Sequence, residues 1–222
     1  MNNYQKDKYS VNKDVEDPSL RSFLKKLSAT IGIVSFSSII LPGCEESSSY
    51  DYGLNDPNVV LALGDSITVA GYPEMLEEMI TKDVINAGHC GETSKGGARR
   101  VENLLNTNNP GYLLLMYGTN DVHYGIKPEN FRKNIKYIIE TAKSKKTIPI
   151  IGTAIPRPDR NDRLLNLNEI VKDVASEEKI KFADTYSAFG EYNSELYRDA
   201  VHPNEKGSRI IAECFSKKIW NL

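Results

Sequence analysis

The sequence predicts an α/β protein, a three-layer, doubly wound sandwich built around a five-stranded parallel sheet. Short apolar runs of strand length alternate along the chain with longer segments of helical periodicity. This alternation is typical of parallel sheets, because their strands are buried on both faces by crossover helices. The predicted strands are residues 59–63, 84–85, 112–117, 147–152 and 180–183.

Helices are predicted where apolar side chains recur at intervals of three and four residues. Pro73 and Thr93 are suitable residues for the starts of the first two helices. With the strands, these helices favour a flavodoxin-like arrangement, in which ligands bind at the carboxyl ends of the strands. The predicted helices are residues 73–80, 98–105, 128–145, 163–178 and 204–220.

The N-terminal region differs in composition from the rest of the chain. Basic residues at positions 21, 25 and 26 precede a mostly apolar stretch, residues 27–41. This order predicts a signal peptide, because a stable membrane span needs about 20 apolar residues. Residues 41–44, Leu-Pro-Gly-Cys, resemble the bacterial lipoprotein box and predict lipidation of Cys44. An uncleaved signal anchor is the alternative, and residues 19–25 also resemble a twin-arginine export signal in which Leu20 replaces the first arginine.

These features divide the chain into a leader at residues 1–43, a polar tether at residues 44–58 and one α/β domain at residues 59–222. The tether has too few apolar residues to pack a core of its own. We therefore expect an exported bacterial lipoprotein, held by Cys44 on the periplasmic or extracellular side of a membrane.

Composition excludes several classes of function. The formal net charge of −2 provides no basic surface for nucleic acid. Beyond Cys44, the two remaining cysteines, Cys90 and Cys214, predict no disulfide framework. His89, Cys90 and His123 lack the spacing of metal ligands, so we expect no metal, and no organic cofactor is needed.

Two motifs supply the groups needed for nucleophilic catalysis. Ser66, in Gly-Asp-Ser-Ile, follows the first predicted strand, and Asp199 lies three residues before His202 near the C-terminus. That spacing lets a carboxylate orient an imidazole that faces the serine, which provides a nucleophile, a base and an orienting group. The alternatives are a helix-capping role for Ser66 and a surface position for His202. Asp65 is expected to brace the turn.

Two further segments follow predicted strands. Gly91 belongs to the loop Asn-Ala-Gly-His-Cys-Gly-Glu-Thr, where glycine lets backbone N–H groups approach a ligand closely. Asn120 belongs to Gly-Thr-Asn-Asp and can donate a hydrogen bond without carrying charge. Asp121 is expected to stabilise its loop, and His89 to be a solvated loop residue.

The four segments, in this order, resemble the SGNH, or GDSL, hydrolases over residues 59–220. The resemblance implies that Ser66 is the nucleophile, that Asp199 and His202 complete the triad, and that Gly91 and Asn120 form an oxyanion hole with the Ser66 amide. The first two segments are most similar to the small bacterial arylesterase and acyl-esterase-like branch. Gly-Thr-Asn-Asp is more similar to the carbohydrate-esterase and acetylhydrolase branches.

We therefore expect a serine ester hydrolase that removes short acyl groups from small carbohydrate or lipid esters through an acyl-enzyme. Short groups are favoured because residues 64–73 contain little chain from which a lid could form. A lysophospholipase or acyl thioesterase is the enzymatic alternative, and a non-catalytic, glycan-binding surface lipoprotein is the alternative from another class.

Two irregular segments are candidates for determining specificity, because long connections at the active edge often carry binding residues. Residues 154–163 contain three arginines, and residues 186–197 contain several aromatic side chains suited to sugar rings. The side chains concerned are Arg157, Arg160, Arg163, Phe189 and Tyr192.

Overall fold

The structure is a computed structural model that describes residues 50–220, and its centre is one sheet of five parallel strands. The strand order is β2-β1-β3-β4-β5, which confirms the predicted doubly wound parallel sheet. The strands are β1 (Asp56–Gly64), β2 (Asp83–Gly88), β3 (Pro110–Met116), β4 (Ile148–Gly152) and β5 (Lys181–Ala183).

Helices pack on both faces of this sheet. One face is covered by α2 (Tyr72–Met79) and α8 (Glu205–Trp220), and the other by α3 (Ser94–Asn108), α5 (Pro128–Ser144) and α6 (Asn161–Glu177). Four short helical segments, which the sequence did not predict, lie in the connections. They are α1 (Ser66–Val69), α4 (Thr119–His123), α7 (Thr185–Phe189) and a 3₁₀ turn (Ser194–Leu196).

The central strands explain why apolar residues run without interruption in the sequence. Leu61 and Leu63 of β1 pack with α3, α5 and α6, whereas Val60 and Ala62 pack with α2 and α8. Successive side chains of a strand point to opposite faces, so a strand covered on both sides needs an apolar residue at every position. All four of these side chains are fully buried.

Two elements extend beyond their predicted ends. Strand β2 continues to Gly88, which pairs with Gly64, whereas the apolar run covers only residues 84–85. Helix α3 begins at Ser94, directly after Thr93, which confirms Thr93 as its predicted start. The apolar periodicity covers only residues 98–105, because the first turns contain Gly96 and Gly97, which carry no apolar side chain. Gly97 is required there, since a Cβ atom would lie 2.7 Å from the ring of Tyr117.

The segment before β1 packs on the domain. The Tyr52 hydroxyl lies 2.6 Å from that of Tyr112, and Asn55 Nδ2 donates to the Lys145 carbonyl at 2.8 Å. Strand β1 also begins at Asp56, so the predicted boundary at residue 59 falls inside a strand. The predicted leader and Cys44 lie outside the described residues. Within residues 50–220, no helix has the length and apolar character required to cross a membrane.

Candidate active site

The predicted site residues meet at the carboxyl edge of the sheet. Ser66 follows β1, Gly91 follows β2, Asn120 follows β3, and His202 lies in the turn before α8. All four line a cleft of about 490 Å³. Asp199 contacts the imidazole of His202. The topology brings these residues together because the carboxyl ends of parallel strands share one edge of the sheet.

The turn that presents Ser66 is closely packed. Asp65 caps α1, since its Oδ1 accepts a hydrogen bond from the Ile67 N–H at 2.9 Å. This contact confirms that Asp65 braces the turn. Gly64 admits no side chain, because a Cβ atom would lie 2.7 Å from the Met116 carbonyl oxygen. The serine is therefore held on a short helix at the end of the central strand.

Asp65 is itself buried, with 2% of its surface exposed. Burial raises its pKa to about 7, and the nearby charges of Asp121 and Glu92 act in the same direction. Its Oδ2 lies 3.3 Å from Asn120 Nδ2. One carboxyl group thus connects the turn of Ser66 with the segment that carries Asn120.

Ser66, His202 and Asp199 form a continuous chain of hydrogen bonds. His202 Nε2 lies 2.9 Å from Ser66 Oγ, and His202 Nδ1 lies 2.8 Å from Asp199 Oδ2. Asp199 Oδ1 also accepts from the backbone N–H groups of Val201 and His202, each at 2.8 Å. The His202 N–H makes the largest contribution to a pKa of about 2 for Asp199. Asp199 is thus a carboxylate at neutral pH, and it favours the tautomer with a proton on Nδ1.

Gly91 and Asn120 line the same cleft as Ser66. The φ angle of Gly91 is +73°, in the left-handed region that favours glycine. Asn120 Nδ2 donates to the Glu92 carbonyl at 3.0 Å, so the asparagine is tied to the residue after Gly91. The cleft therefore combines a hydroxyl, an imidazole, a glycine-rich loop and a neutral amide.

A network around Glu92 holds this loop, and no sequence pattern indicated it. Arg100 Nε lies 2.9 Å from both carboxylate oxygens of Glu92, and its Nη2 donates to the Ala87 carbonyl at 2.6 Å. The Tyr117 hydroxyl donates to Glu92 Oε2 at 2.6 Å, and burial raises the pKa of this tyrosine. The partners come from β2, α3 and the end of β3, so no local pattern could have revealed the network.

Asp121 has a structural position, as expected. Its Oδ1 accepts from the Ser94 hydroxyl at 2.6 Å, and its Oδ2 accepts from the Ser94 N–H at 3.0 Å. Asn134 donates to the same hydroxyl at 2.9 Å. These bonds join the N-terminal ends of α3 and α4. Gly91 lies in the loop before α3, and Asn120 lies in α4.

Of the arginines in residues 154–163, Arg157 lines the cleft and Arg160 and Arg163 do not. His123, Tyr124 and Arg198 also line it, and no sequence pattern indicated Tyr124 or Arg198 as site residues. His89 is exposed and lies outside the lining, which confirms its expected place as a loop residue.

The expectation that aromatic residues of segment 186–197 contact substrate is wrong for two of them. Phe189 and Tyr192 both pack on Tyr197, with ring centroids 5.8 and 4.9 Å from it. Phe189 is 7% exposed. These rings fill the space between the last connection and the sheet, because apolar burial is more favourable than exposure at the cleft.

The two described cysteines are free, and Cys90 lies exposed at the edge of the cleft. Within residues 50–220, no group of three His, Cys, Asp or Glu side chains is arranged to hold a metal ion.

Comparison with known proteins assigns the chain to a family. The GDSL-like lipase/acylhydrolase family matches residues 62–210, more than half of the chain. Thioesterase 1/protease 1/lysophospholipase L1 of Escherichia coli K12 is 24% identical over 177 residues, which cover 74% of this chain and 85% of that protein. An uncharacterized lipoprotein, YqeF, of Bacillus subtilis 168 is 24% identical over 229 residues, covering 78% and 91%.

A solved structure has the same fold. It is a member of the lipolytic protein G-D-S-L family from Veillonella parvula, with a TM-score of 0.64 and 26% identity, and the match covers 74% of this chain and 99% of that one. The family match contains Ser66, Gly91, Asn120, Asp199 and His202. The chain therefore belongs to the GDSL-like lipase/acylhydrolase family and is a carboxylic ester hydrolase.

Proposed function

We propose that Ser66 is the nucleophile of this hydrolase, His202 its general base and Asp199 the group that orients the imidazole. The observation that carries the proposal is the hydrogen-bonded chain from Ser66 Oγ through the imidazole to Asp199, with contacts of 2.9 and 2.8 Å. In such an arrangement the imidazole removes the serine proton, and the carboxylate stabilises the imidazolium that forms.

The proposed reaction has two steps. His202 Nε2 takes the proton of Ser66 while Oγ attacks the ester carbonyl carbon, and the alcohol leaves with a proton returned by the imidazolium. The acyl group then remains on Ser66 until His202 deprotonates a water molecule that attacks the acyl carbonyl. Release of the carboxylic acid restores the serine, and the protons balance without a cofactor.

We further propose that the backbone N–H groups of Ser66 and Gly91 and the side chain of Asn120 bind the oxyanion. The Asn120 amide has two N–H groups. One N–H donates to the Glu92 carbonyl at 3.0 Å. The other makes only a longer contact of 3.3 Å with Asp65 Oδ2, and we propose that it turns from Asp65 to donate to the oxyanion, beside the two backbone N–H groups. Preorganised donors stabilise charge that develops in the transition state.

For substrates, we propose short acyl esters of carbohydrates or lipids. Two features beside Ser66 support short acyl groups. Helix α1 has only four residues and leads through Gly71 directly into α2, which leaves little chain to enclose a long acyl group. Val69, which lines the cleft, remains 44% exposed. The name of the Escherichia coli relative favours lysophospholipase or thioesterase action as the second candidate.

The roles are tested with purified protein and p-nitrophenyl acetate. Ser66→Ala or His202→Ala should lower kcat by about 10⁴-fold or more, because these groups act as a unit. Ser176→Ala, at an exposed serine of α6, is the matched control and should retain full activity. A fluorophosphonate should label the wild type and not Ser66→Ala. Folded Ser66→Ala with a tenth of wild-type turnover would refute the assignment, and an unlabelled, inactive wild type would favour a binding protein.

We also propose that the chain is a membrane-anchored lipoprotein, lipidated at Cys44. The support is the basic start, apolar stretch and terminal Leu-Pro-Gly-Cys, together with the lipoprotein name of the Bacillus subtilis relative. Radioactive palmitate should label the wild type but not Cys44→Ser, which should leave the membrane fraction. Unlabelled wild type that remains in the membrane would indicate an uncleaved signal anchor.

A further inference from the structure

The cleft that contains Ser66 is lined by two cationic side chains, although the chain as a whole is slightly acidic. Arg157 and Arg198 both line it together with Ser66. Within the described part of the chain, no Asp or Glu side chain is part of the cleft lining. The whole chain, in contrast, has a net charge of −2. Two guanidinium groups in one lining with no carboxylate indicate a site for an anion.

Arg157 is fixed in place. It is 8% exposed, and its Nε and Nη2 donate to Asp159 Oδ1 at 3.2 and 3.0 Å. The hydrogen bond from Arg157 is the largest cause of a lowered pKa for Asp159, so this pair is ionised. The Nη1 group makes no hydrogen bond to any residue in 50–220, which leaves two donors on a guanidinium that is already oriented.

Arg198 supplies an uncompensated charge. Its backbone N–H donates to the His202 carbonyl at 3.0 Å, but its exposed side chain has no ion pair or hydrogen bond with the residues that the structure describes. The nearest carboxylate in sequence, Asp199, is engaged by His202. The positive charge of Arg198 is therefore available to a ligand.

The two arginines belong to segments that are joined directly. The hydroxyl of Tyr197, which precedes Arg198, donates to the carbonyl of Pro156, which precedes Arg157, at 2.6 Å. Tyr197 is 7% exposed and also pairs with Pro203 in an antiparallel bridge. The connection after β4 and the turn that carries His202 thus hold both guanidinium groups against the same cleft.

We propose that the preferred substrate is an ester that carries an anionic group, a carboxylate or a phosphate, and that Arg198 and Arg157 bind this group while the ester carbonyl lies at Ser66. This inference rests on the proposed esterase function. Guanidinium groups bind planar or tetrahedral oxyanions through paired N–H donors, which gives both affinity and orientation. Acyl esters of acidic sugars and of phosphate-bearing lipids both have this chemistry.

The test compares three acetate esters of similar shape: 3-acetoxybenzoate, its neutral amide 3-acetoxybenzamide, and 3-acetoxyphenyl phosphate. Values of kcat/KM are divided by the rate of hydroxide-catalysed hydrolysis of each ester, which removes differences in intrinsic reactivity. The wild type should prefer at least one anionic ester over the amide by about tenfold or more, since hydrogen bonds to charged groups have this magnitude. Added salt should reduce the preference.

Arg198→Gln should lower that anionic-to-neutral ratio by about tenfold, because an exposed side chain can be replaced without disturbing the fold. Arg157→Lys, which keeps the charge and loses the paired donors, should lower it as well. Arg209→Gln is the matched control, because this half-exposed arginine lies on α8 outside the cleft, and it should leave all three activities unchanged.

The outcomes are distinct. Preference for the benzoate supports an acidic sugar ester as the source of the anion, and preference for the phosphate supports a phosphate-bearing lipid. Equal normalised values for the three esters, or a preference that Arg198→Gln leaves intact, overturn the inference while the esterase function stands. A wild type that hydrolyses neither these esters nor p-nitrophenyl acetate, and that no fluorophosphonate labels, refutes the esterase function itself.

Discussion

Asn120 connects the main parts of the site at the scale of a single residue. Its side chain lies 3.0 Å from the Glu92 carbonyl and 3.3 Å from Asp65, and it faces the cleft that contains Ser66. A neutral amide in this place can both fix the glycine-bearing loop and donate to a developing oxyanion. The two roles have different kinetic consequences, so they can be separated.

Asn120→Ala should lower kcat by about 10² to 10³ with little change in KM, because an oxyanion donor acts mainly in the transition state. The measurement is steady-state kinetics on p-nitrophenyl acetate, with the unfolding transition recorded to show that the variant is folded. A loss confined to KM would make Asn120 a residue that binds the ground state.

Asp65 gives a second prediction, on stability. Its pKa of about 7 in the folded protein lies above the ordinary value of about 3.9, so the native state binds this proton more tightly than the unfolded state does. The contribution of Asp65 to the free energy of unfolding is therefore largest below pH 4 and declines as pH rises to 7. Asp65→Asn removes this titration.

The free energy of unfolding of the wild type relative to Asp65→Asn should accordingly fall between pH 5 and pH 7, by at most about 1.4 kcal/mol for each pH unit. Urea unfolding at a series of pH values measures the difference. A difference that does not change with pH would mean that Asp65 has the same protonation state in the folded and unfolded chains over this range.

At the scale of elements, the connection from β2 to α3 carries Gly91, one of the residues of the proposed oxyanion site. Arg100, on α3, binds Glu92 and the Ala87 carbonyl at the end of β2. The Glu92 side chain is 10% exposed, so loss of its cation leaves a poorly solvated carboxylate. We therefore expect Arg100 to be a positioning residue, which holds the backbone of this loop and does not touch the substrate.

Arg100→Gln should therefore lower kcat about ten- to a hundredfold, because small displacements of catalytic donors have effects of this size. KM should change little, since the arginine does not line the cleft with Ser66. Arg99→Gln makes the same charge change on the exposed side of the same helix and should have wild-type kinetics. A larger effect on KM than on kcat would contradict a positioning role.

At the scale of the domain that residues 50–220 form, the cleft lies at the carboxyl edge of the sheet. The connections around Ser66 are short, and the cleft volume of about 490 Å³ is shared among eleven lining residues. An acyl-binding tunnel would gain about 0.8 kcal/mol, or roughly fourfold in affinity, for each buried methylene group. Because the connections around Ser66 are short, we do not expect them to bury the additional methylene groups of a longer acyl chain.

We expect kcat/KM to fall from p-nitrophenyl acetate through butyrate to octanoate, each measured below its micelle concentration, with Ser66→Ala as the background control. The reason is that additional methylene groups would remain in water rather than be buried. A steady rise toward octanoate would support the lipase or thioesterase alternative instead.

The architecture and the main site residues could be predicted because their signals are local. An uninterrupted apolar run such as residues 59–63 indicates a strand covered on both faces, and periodicity indicates the helices. Ser66, Gly91 and Asn120 follow predicted strands, and His202 precedes the predicted last helix. Parallel topology then requires that residues at the carboxyl ends of strands share an edge.

Only the tertiary structure decided which side chains surround that edge. Glu92 and Tyr117 are 25 positions apart in the chain, and Arg157 and Arg198 come from different connections. Phe189 and Tyr192 look equally suited to a sugar from their sequence, yet they pack on Tyr197. Local patterns determine the type of element, whereas contacts between distant residues depend on how the elements pack together, and packing has no periodic signature in the sequence.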